Sequence, residues 1–206
     1  SGNNSGNTIV GGAGNDTING RGGVDTMIGG TGDDRYYVDN IGDVVNELAS
    51  QGSDRVYASV NYMLGAGQVI EYLYANAGAT GLTLTGNELA NNIQGNAGAD
   101  TLLGMAGADI LDGRGGADDM TGGIGNDKYY VDNVGDVIHE GSAEGTVDIA
   151  YASVDYTLGV GVRVERLYAD AGATGLTLGG NEFNNIIFRS EEHTSELQSH
   201  HDLVCR

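Results

Sequence analysis

A large apolar side chain at every ninth residue, set among glycines and an aspartate, is the pattern that recurs along this chain. It runs through Gly11-Gly12-Ala13-Gly14-Asn15-Asp16-Thr17-Ile18-Asn19 and the rows beginning at Gly20 and Gly29, then returns in rows beginning at Gly95, Gly104, Gly113 and Gly122. Position eight is Ile18, Met27, Tyr36, Leu102, Leu111, Met120 or Tyr129. Position six is Asp16, Asp25, Asp34, Asp100, Asp109, Asp118 or Asp127. The first six residues of a row predict a chain-reversing turn, because glycine adopts positive φ without a Cβ clash. The last three predict a short strand whose middle side chain faces inward and whose neighbours face out. Two such rows make one coil of a solenoid.

The expected fold class is therefore all-β, a parallel β-roll or β-helix solenoid built from glycine-rich nonapeptide rows. Residues 44–85 and 137–178 lack the strict period but hold β-rich stretches such as Arg55-Val56-Tyr57-Ala58-Ser59-Val60 between glycine turns. They predict looser coils of the same solenoid, with a small β-sandwich between two rolls as the alternative. The second half repeats the first at an offset of 93 to 94 residues: Asp34-Arg35-Tyr36-Tyr37-Val38-Asp39-Asn40 matches Asp127-Lys128-Tyr129-Tyr130-Val131-Asp132-Asn133. The chain thus divides into a first nonapeptide block (1–43), a looser segment (44–85), a second block (86–136), a second looser segment (137–178) and the start of a third block (179–188).

In such a solenoid the turns on one edge stack eighteen residues apart, which brings position-six carboxylates of alternate rows together beside turn carbonyls. Several hard oxygen ligands per ion, at about 2.3–2.6 Å, suit Ca²⁺ better than softer transition metals. The best-formed pairs are Asp16 with Asp34, Asp100 with Asp118, and Asp109 with Asp127. The register runs one row past each block, so Asp25 with Asp43 and Asp118 with Asp136 form a second tier whose rows lack the glycine doublet. Asn7 and Asn91 take position six at the front edges, where the weakest sites are expected. Aspartate also serves turns without any metal. Stacked like charges repel one another, however, unless a cation lies between them.

These rows resemble the calcium-binding nonapeptide repeats of the repeats-in-toxin (RTX, haemolysin-type) proteins. The resemblance covers the two blocks closely and the segments between them loosely. It implies several bound Ca²⁺ ions, export by a type I route that reads a C-terminal signal, and an extracellular location.

Charge and composition narrow the partners. Residues 1–188 carry seven Lys and Arg against 25 Asp and Glu, with no Cys, no Pro and one His. That balance favours cations over nucleic acid or anionic membrane, and no stretch approaches the roughly 20 apolar residues of a membrane span. Residues 189–206 resemble a translated sequencing adapter, and are set aside with His193, His200, His201 and Cys205, which otherwise suggest a transition-metal site. Ser1 reads as a cut within a longer chain with no signal peptide in view.

No catalytic constellation is visible: His139 has no counterpart in the first copy, Ser59 and Ser153 lack a nucleophile-elbow context, and no Gly-Lys-Ser or Gly-Lys-Thr follows the glycine turns. The chain is not expected to be an enzyme. Asp39, Asp43, Glu47, Asp54 and Glu71 recur as Asp132, Asp136, Glu140, Asp148 and Glu165. The recurring acids either add calcium sites or keep strand edges soluble, the latter favoured for Glu71 and Glu165. The expected role is Ca²⁺-driven folding outside the cell, as part of a structural, adhesin-like array. The alternative is a secretion and folding module of an exported protease, lipase or epimerase, or of a pore-forming toxin. Partners other than calcium, such as secretion machinery or cell-surface components, stay open. Carbohydrate binding ranks last, since it needs clustered outward aromatics and the chain has no Trp and two Phe.

Overall fold

A computed structural model describes residues 1–142 and 145–189, and every regular element among them is a β-strand. Residues 190–206, which hold nearly all of the adapter-like tail with its histidines and Cys205, lie outside the described residues.

Ten short strands form one continuous parallel sheet. It opens with Thr17–Asn19, Arg35–Val38, Arg55–Ala58, Tyr72–Ala75 and Asn92–Gln94, and continues through Ile110–Asp112, Lys128–Val131, Ile149–Ala152, Arg166–Ala169 and Ile186–Phe188. The opposite face is divided into three shorter sheets: Thr8–Ala13 with Thr26–Thr31 and Val44–Asn46; then Tyr62–Met63 through Val137–His139; then Tyr156–Thr157 with Leu178–Gly179. The long sheet passes through both looser segments without a break, so the expected parallel solenoid holds and the sandwich alternative does not.

Within the blocks, partners lie 18 residues apart, as Ile18 with Tyr36 and Leu111 with Tyr129. In the looser coils the spacing changes: Tyr36 pairs with Val56, Val56 with Leu73, and Tyr62 with Leu84. The extra residues go into the turns, and the strands stay in register. Asn87 clamps one of these wide turns, its amide donating to the carbonyls of Gly65 (3.2 Å) and Gln68 (2.7 Å). Asn181 does the same at Gly159 and Val162 in the second copy.

Position-eight side chains fill the interior, as the period predicts. Ile18, Met27, Tyr36, Leu102, Leu111, Met120 and Tyr129 are all buried. The turns between them depend on left-handed backbone at row positions two and four, as at Gly12 (φ 112°) and Gly14 (φ 101°). Arg21, Met105 and Arg114 occupy position two with φ of 61°, 81° and 61°, a conformation that costs a side-chain-bearing residue about 1–2 kcal/mol.

Candidate metal centre

Row geometry dictates where each position-six aspartate goes. It closes the turn two residues before the inward side chain, so its carboxylate reaches back to the backbone N–H of the position-six residue one coil earlier. The backbone N–H of Asp16 donates to Asp34 Oδ1 (2.6 Å), Asp25 to Asp43 (2.9 Å), Asp100 to Asp118 (2.7 Å), Asp109 to Asp127 (2.7 Å) and Asp118 to Asp136 (3.0 Å). All the pairs expected from the eighteen-residue spacing are therefore brought together. Asn7 and Asn91 begin ladders of the same kind, donating to Asp25 and Asp109 at 2.7 Å each.

These hydrogen bonds use Oδ1 of the accepting carboxylates. The other oxygen, Oδ2, is buried and has no hydrogen-bond partner in Asp16, Asp25, Asp34, Asp109 and Asp118. Burying a carboxylate oxygen without a partner is costly. Burial pushes the carboxyl of Asp109 up to about 7 and that of Asp118 up to about 6, with neighbouring carboxylates adding to the rise. The Asp34 carboxyl is also raised, by burial first and then by the charges of Asp16 and Asp33.

Each free oxygen lies beside the glycine at row position one, and at Asp16 and Asp109 it faces a backbone carbonyl across the space that glycine keeps open. A Cβ on Gly11 would meet Asp16 Oδ2 at 2.5 Å and the Gly29 carbonyl at 2.8 Å. A Cβ on Gly104 would likewise collide with both Asp109 Oδ2 and the Gly122 carbonyl. Carboxylate and carbonyl oxygens converging on a gap from which side chains are barred are a donor set suited to a hard divalent cation, and Ca²⁺ fits it.

The end rows differ. Asp43 Oδ2 accepts the N–H groups of Asp39 (3.2 Å) and Asn40 (3.1 Å), and Asp136 is held likewise by Asp132 and Asn133. The missing glycine doublet gives a turn that occupies both oxygens of these two aspartates. Asp100 Oδ2 accepts from Asn96 at 2.9 Å.

The carboxylate ladder on the edge of the long sheet also extends beyond the expected residues. Asp34 N–H donates to Asp54 Oδ1 and Asp54 N–H to Glu71 Oε2, both at 2.8 Å; Asp127, Asp148 and Glu165 repeat the arrangement. Glu71 and Glu165 are thus backbone acceptors inside the stack, contrary to the solubilising role favoured above. Their recurrence at corresponding places in both copies was the available signal. Asp54, like Glu47, is buried, and burial pushes their carboxyls up to about 6 and about 7 respectively.

Tyr37, Tyr57 and Tyr74 form an outward aromatic row on the long sheet, and Tyr130, Tyr151, Tyr168 and Phe188 form a second. Neighbouring centroids are 5.3 Å apart for Tyr37 and Tyr57 and 4.9 Å for Tyr168 and Phe188. All the neighbouring rings stack face to face except Tyr57 and Tyr74, which meet edge to face, as cross-strand pairs that support a sheet do. His139, exposed on the opposite face, lies 3.0 Å from Asp119.

Stacked glycine turns, inward carboxylates and a thin apolar interior define a β-roll of the cation-binding class. The comparison with known families agrees: residues 1–36, 85–120 and 94–129 match the RTX calcium-binding nonapeptide repeat (4 copies). The chain resembles RTX repeat proteins through these segments, and the repeats they match are calcium-binding. No curated protein matches the chain.

Proposed function

We propose that the chain is a calcium-responsive structural segment of a larger exported protein. Asp16, Asp25, Asp34, Asp100, Asp109, Asp118 and Asp127 supply the carboxylates, with Asp43 and Asp136 closing the ladders as the weakest contributors. The observation that carries this reading is the set of buried Oδ2 atoms without partners, each facing a glycine-lined gap. Each ion offsets stacked negative charge and ties one coil to the next, so that binding free energy becomes folding free energy. Extracellular calcium modules have dissociation constants of about 10⁻⁴–10⁻³ M, far above free cytosolic calcium. The nonapeptide rows then stay open and exportable inside the cell and close outside. No step of this role requires catalysis.

An array role is favoured over a folding module of an exported enzyme by one feature. The second copy continues the ten-stranded sheet of the first, and Ile186–Phe188 of the third begins to do so again. A unit that stacks on its own copies suits a stalk or adhesin-like spacer.

Far-UV circular dichroism during a calcium titration, with magnesium as control, tests the calcium reading. A cooperative rise of β signal with calcium alone is expected. Full β structure in chelator, indifferent to calcium, would refute it.

A further inference from the structure

Row position one is glycine throughout both blocks, but the next coil on the same edge carries Glu47 in that place. Met27 pairs with Val45 and Ile28 with Asn46, which puts Glu47 directly above Gly29. Its side chain turns back into the stack: Gly29 N–H donates to Oε1 at 3.1 Å, and the buried Tyr36 hydroxyl donates to the same oxygen. Both contacts fix Oε1 and leave Oε2 buried with no hydrogen-bond partner. Asp34 Oδ2 is in the same condition, and Glu47 and Asp34 are each 0% exposed. Asp54 contributes the third carboxylate from the coil above, with one oxygen of each residue within 4.8 Å of the others.

Asp127, Glu140 and Asp148 form the same cluster in the second copy, where the Tyr129 hydroxyl donates to Glu140. The group recurs although the turn in between changes length, Asp34 and Asp54 lying 20 residues apart and Asp127 and Asp148 lying 21. A feature kept through a change of turn length is a property of the site and not of the turn.

We propose that each nonapeptide block ends in a calcium site of its own kind, made by Asp34, Glu47 and Asp54 in the first copy and by Asp127, Glu140 and Asp148 in the second. The proposal rests on the calcium reading above and adds two ions to it. A site inside a block has two carboxylates and fills its shell with turn carbonyls. The terminal site has three carboxylates and a tyrosine hydroxyl that holds the glutamate in place. More negative charge in a fixed frame gives tighter binding of a hard cation. The terminal ion therefore binds first, at the junction between the regular roll and the looser coils, and orders the last turn on which the preceding rows stack.

Equilibrium dialysis with radioactive calcium on the full chain, comparing wild type with the double variant Glu47→Gln/Glu140→Gln, counts the ions directly. The variant is expected to bind two fewer ions, both from the tightest class, while the ions of the within-block sites remain. Equal numbers and affinities would overturn the proposal and make Glu47 a protonated plug. If the double variant fails to fold in calcium, Tyr36→Phe/Tyr129→Phe keeps every carboxylate and removes only the orienting hydroxyls. It is expected to weaken two ions roughly tenfold, as loss of a hydrogen bond to a charged group does, and no change would overturn the proposal. A wild-type chain that binds no calcium removes the parent reading as well. Normal binding by wild type with no loss in the variants removes this inference alone.

Discussion

Replacing Asp109 by asparagine is expected to give opposite results with and without calcium, and the structure sets the size of the calcium-free effect. Asp109 is 1% exposed; one oxygen accepts the Asn91 N–H at 2.7 Å and the other has no partner. Its carboxyl is moved from 3.8 to about 7, chiefly by burial and then by the Asp127 charge. At one pK unit per 1.36 kcal/mol, holding that group ionised in the calcium-free fold at neutral pH costs on the order of 4 kcal/mol. An amide fits the place. Asn91 and Asn185 occupy equivalent rungs and donate to the Ile70 and Val164 carbonyls at 2.8 Å. In chelator, Asp109→Asn is therefore expected to stabilise the folded state, by less than the full cost because the amide must find its own partner. With calcium at about 100 times its dissociation constant, the same change forfeits the ~2.7 kcal/mol that one bound ion contributes. Urea melts followed by circular dichroism, with and without calcium, check both signs. Destabilisation in both conditions, by equal amounts, would show that Asp109 is only a turn former.

Acid is expected to replace calcium in part. Asp109, Asp118 and Glu47 have carboxyls raised to about 7, 6 and 7, above their unfolded values of 3.8 and 4.5, so protonation favours the fold. Calcium-free stability is lost as pH rises from about 4, with the loss complete above about 7, so the chelated chain is expected to gain β signal between pH 7.5 and 5. A pH-independent spectrum would contradict this. Met105→Gly relieves a left-handed methionine and is expected to raise stability by about 0.5–1 kcal/mol in a calcium-saturated thermal melt; Met105 is exposed, so little packing is lost. Gly104→Ala puts a methyl group between Asp109 Oδ2 and the Gly122 carbonyl and is expected to remove one ion from the calcium count. Hydrogen exchange in chelator is expected to leave residues 56–84 better protected than residues 11–45, and uniform protection would contradict the unequal distribution of apolar burial.

The nine-residue period carried most of the architecture, because each row is a complete structural unit: position eight had to be core, and position six had to meet its counterpart two rows on. It stopped being informative where the spacing changed. Asp54 lies 20 residues beyond Asp34, and Glu71 a further 17, so neither falls on the eighteen-residue ladder although the backbone places both there. Glu47 was legible as a recurring acid that could add a calcium site, but its place in the stack was not, for a different reason. It takes the place where glycine is the rule, and its function depends on a side chain folding back toward Tyr36, which no linear spacing encodes. The tyrosine rows were missed because the position-nine residues Tyr37 and Tyr130 continue into Tyr57 and Tyr151 only through coils of altered length.

The two kinds of coil divide the work of holding the solenoid together. From Val56 to Leu84 the interior receives Val56, Ala58, Tyr62, Leu64, Ile70, Leu73, Leu82 and Leu84. Over a similar length from Ile18 to Val45 it receives only Ile18, Met27, Tyr36, Val38 and Val45. A buried Leu or Val contributes about 1.5–3 kcal/mol, so the looser coils have several kcal/mol more apolar burial to set against chain entropy. They also have the fewest position-six acids: on the divided face, the ladder that ends at Asp43 resumes only where Asp100 accepts the Leu82 N–H. Where the interior is thin, carboxylates are dense, and where it is thick they are sparse. On the proposed reading calcium controls only part of the fold: the apolar coils that follow each block offer a template, and the ions decide whether the nonapeptide rows close onto it.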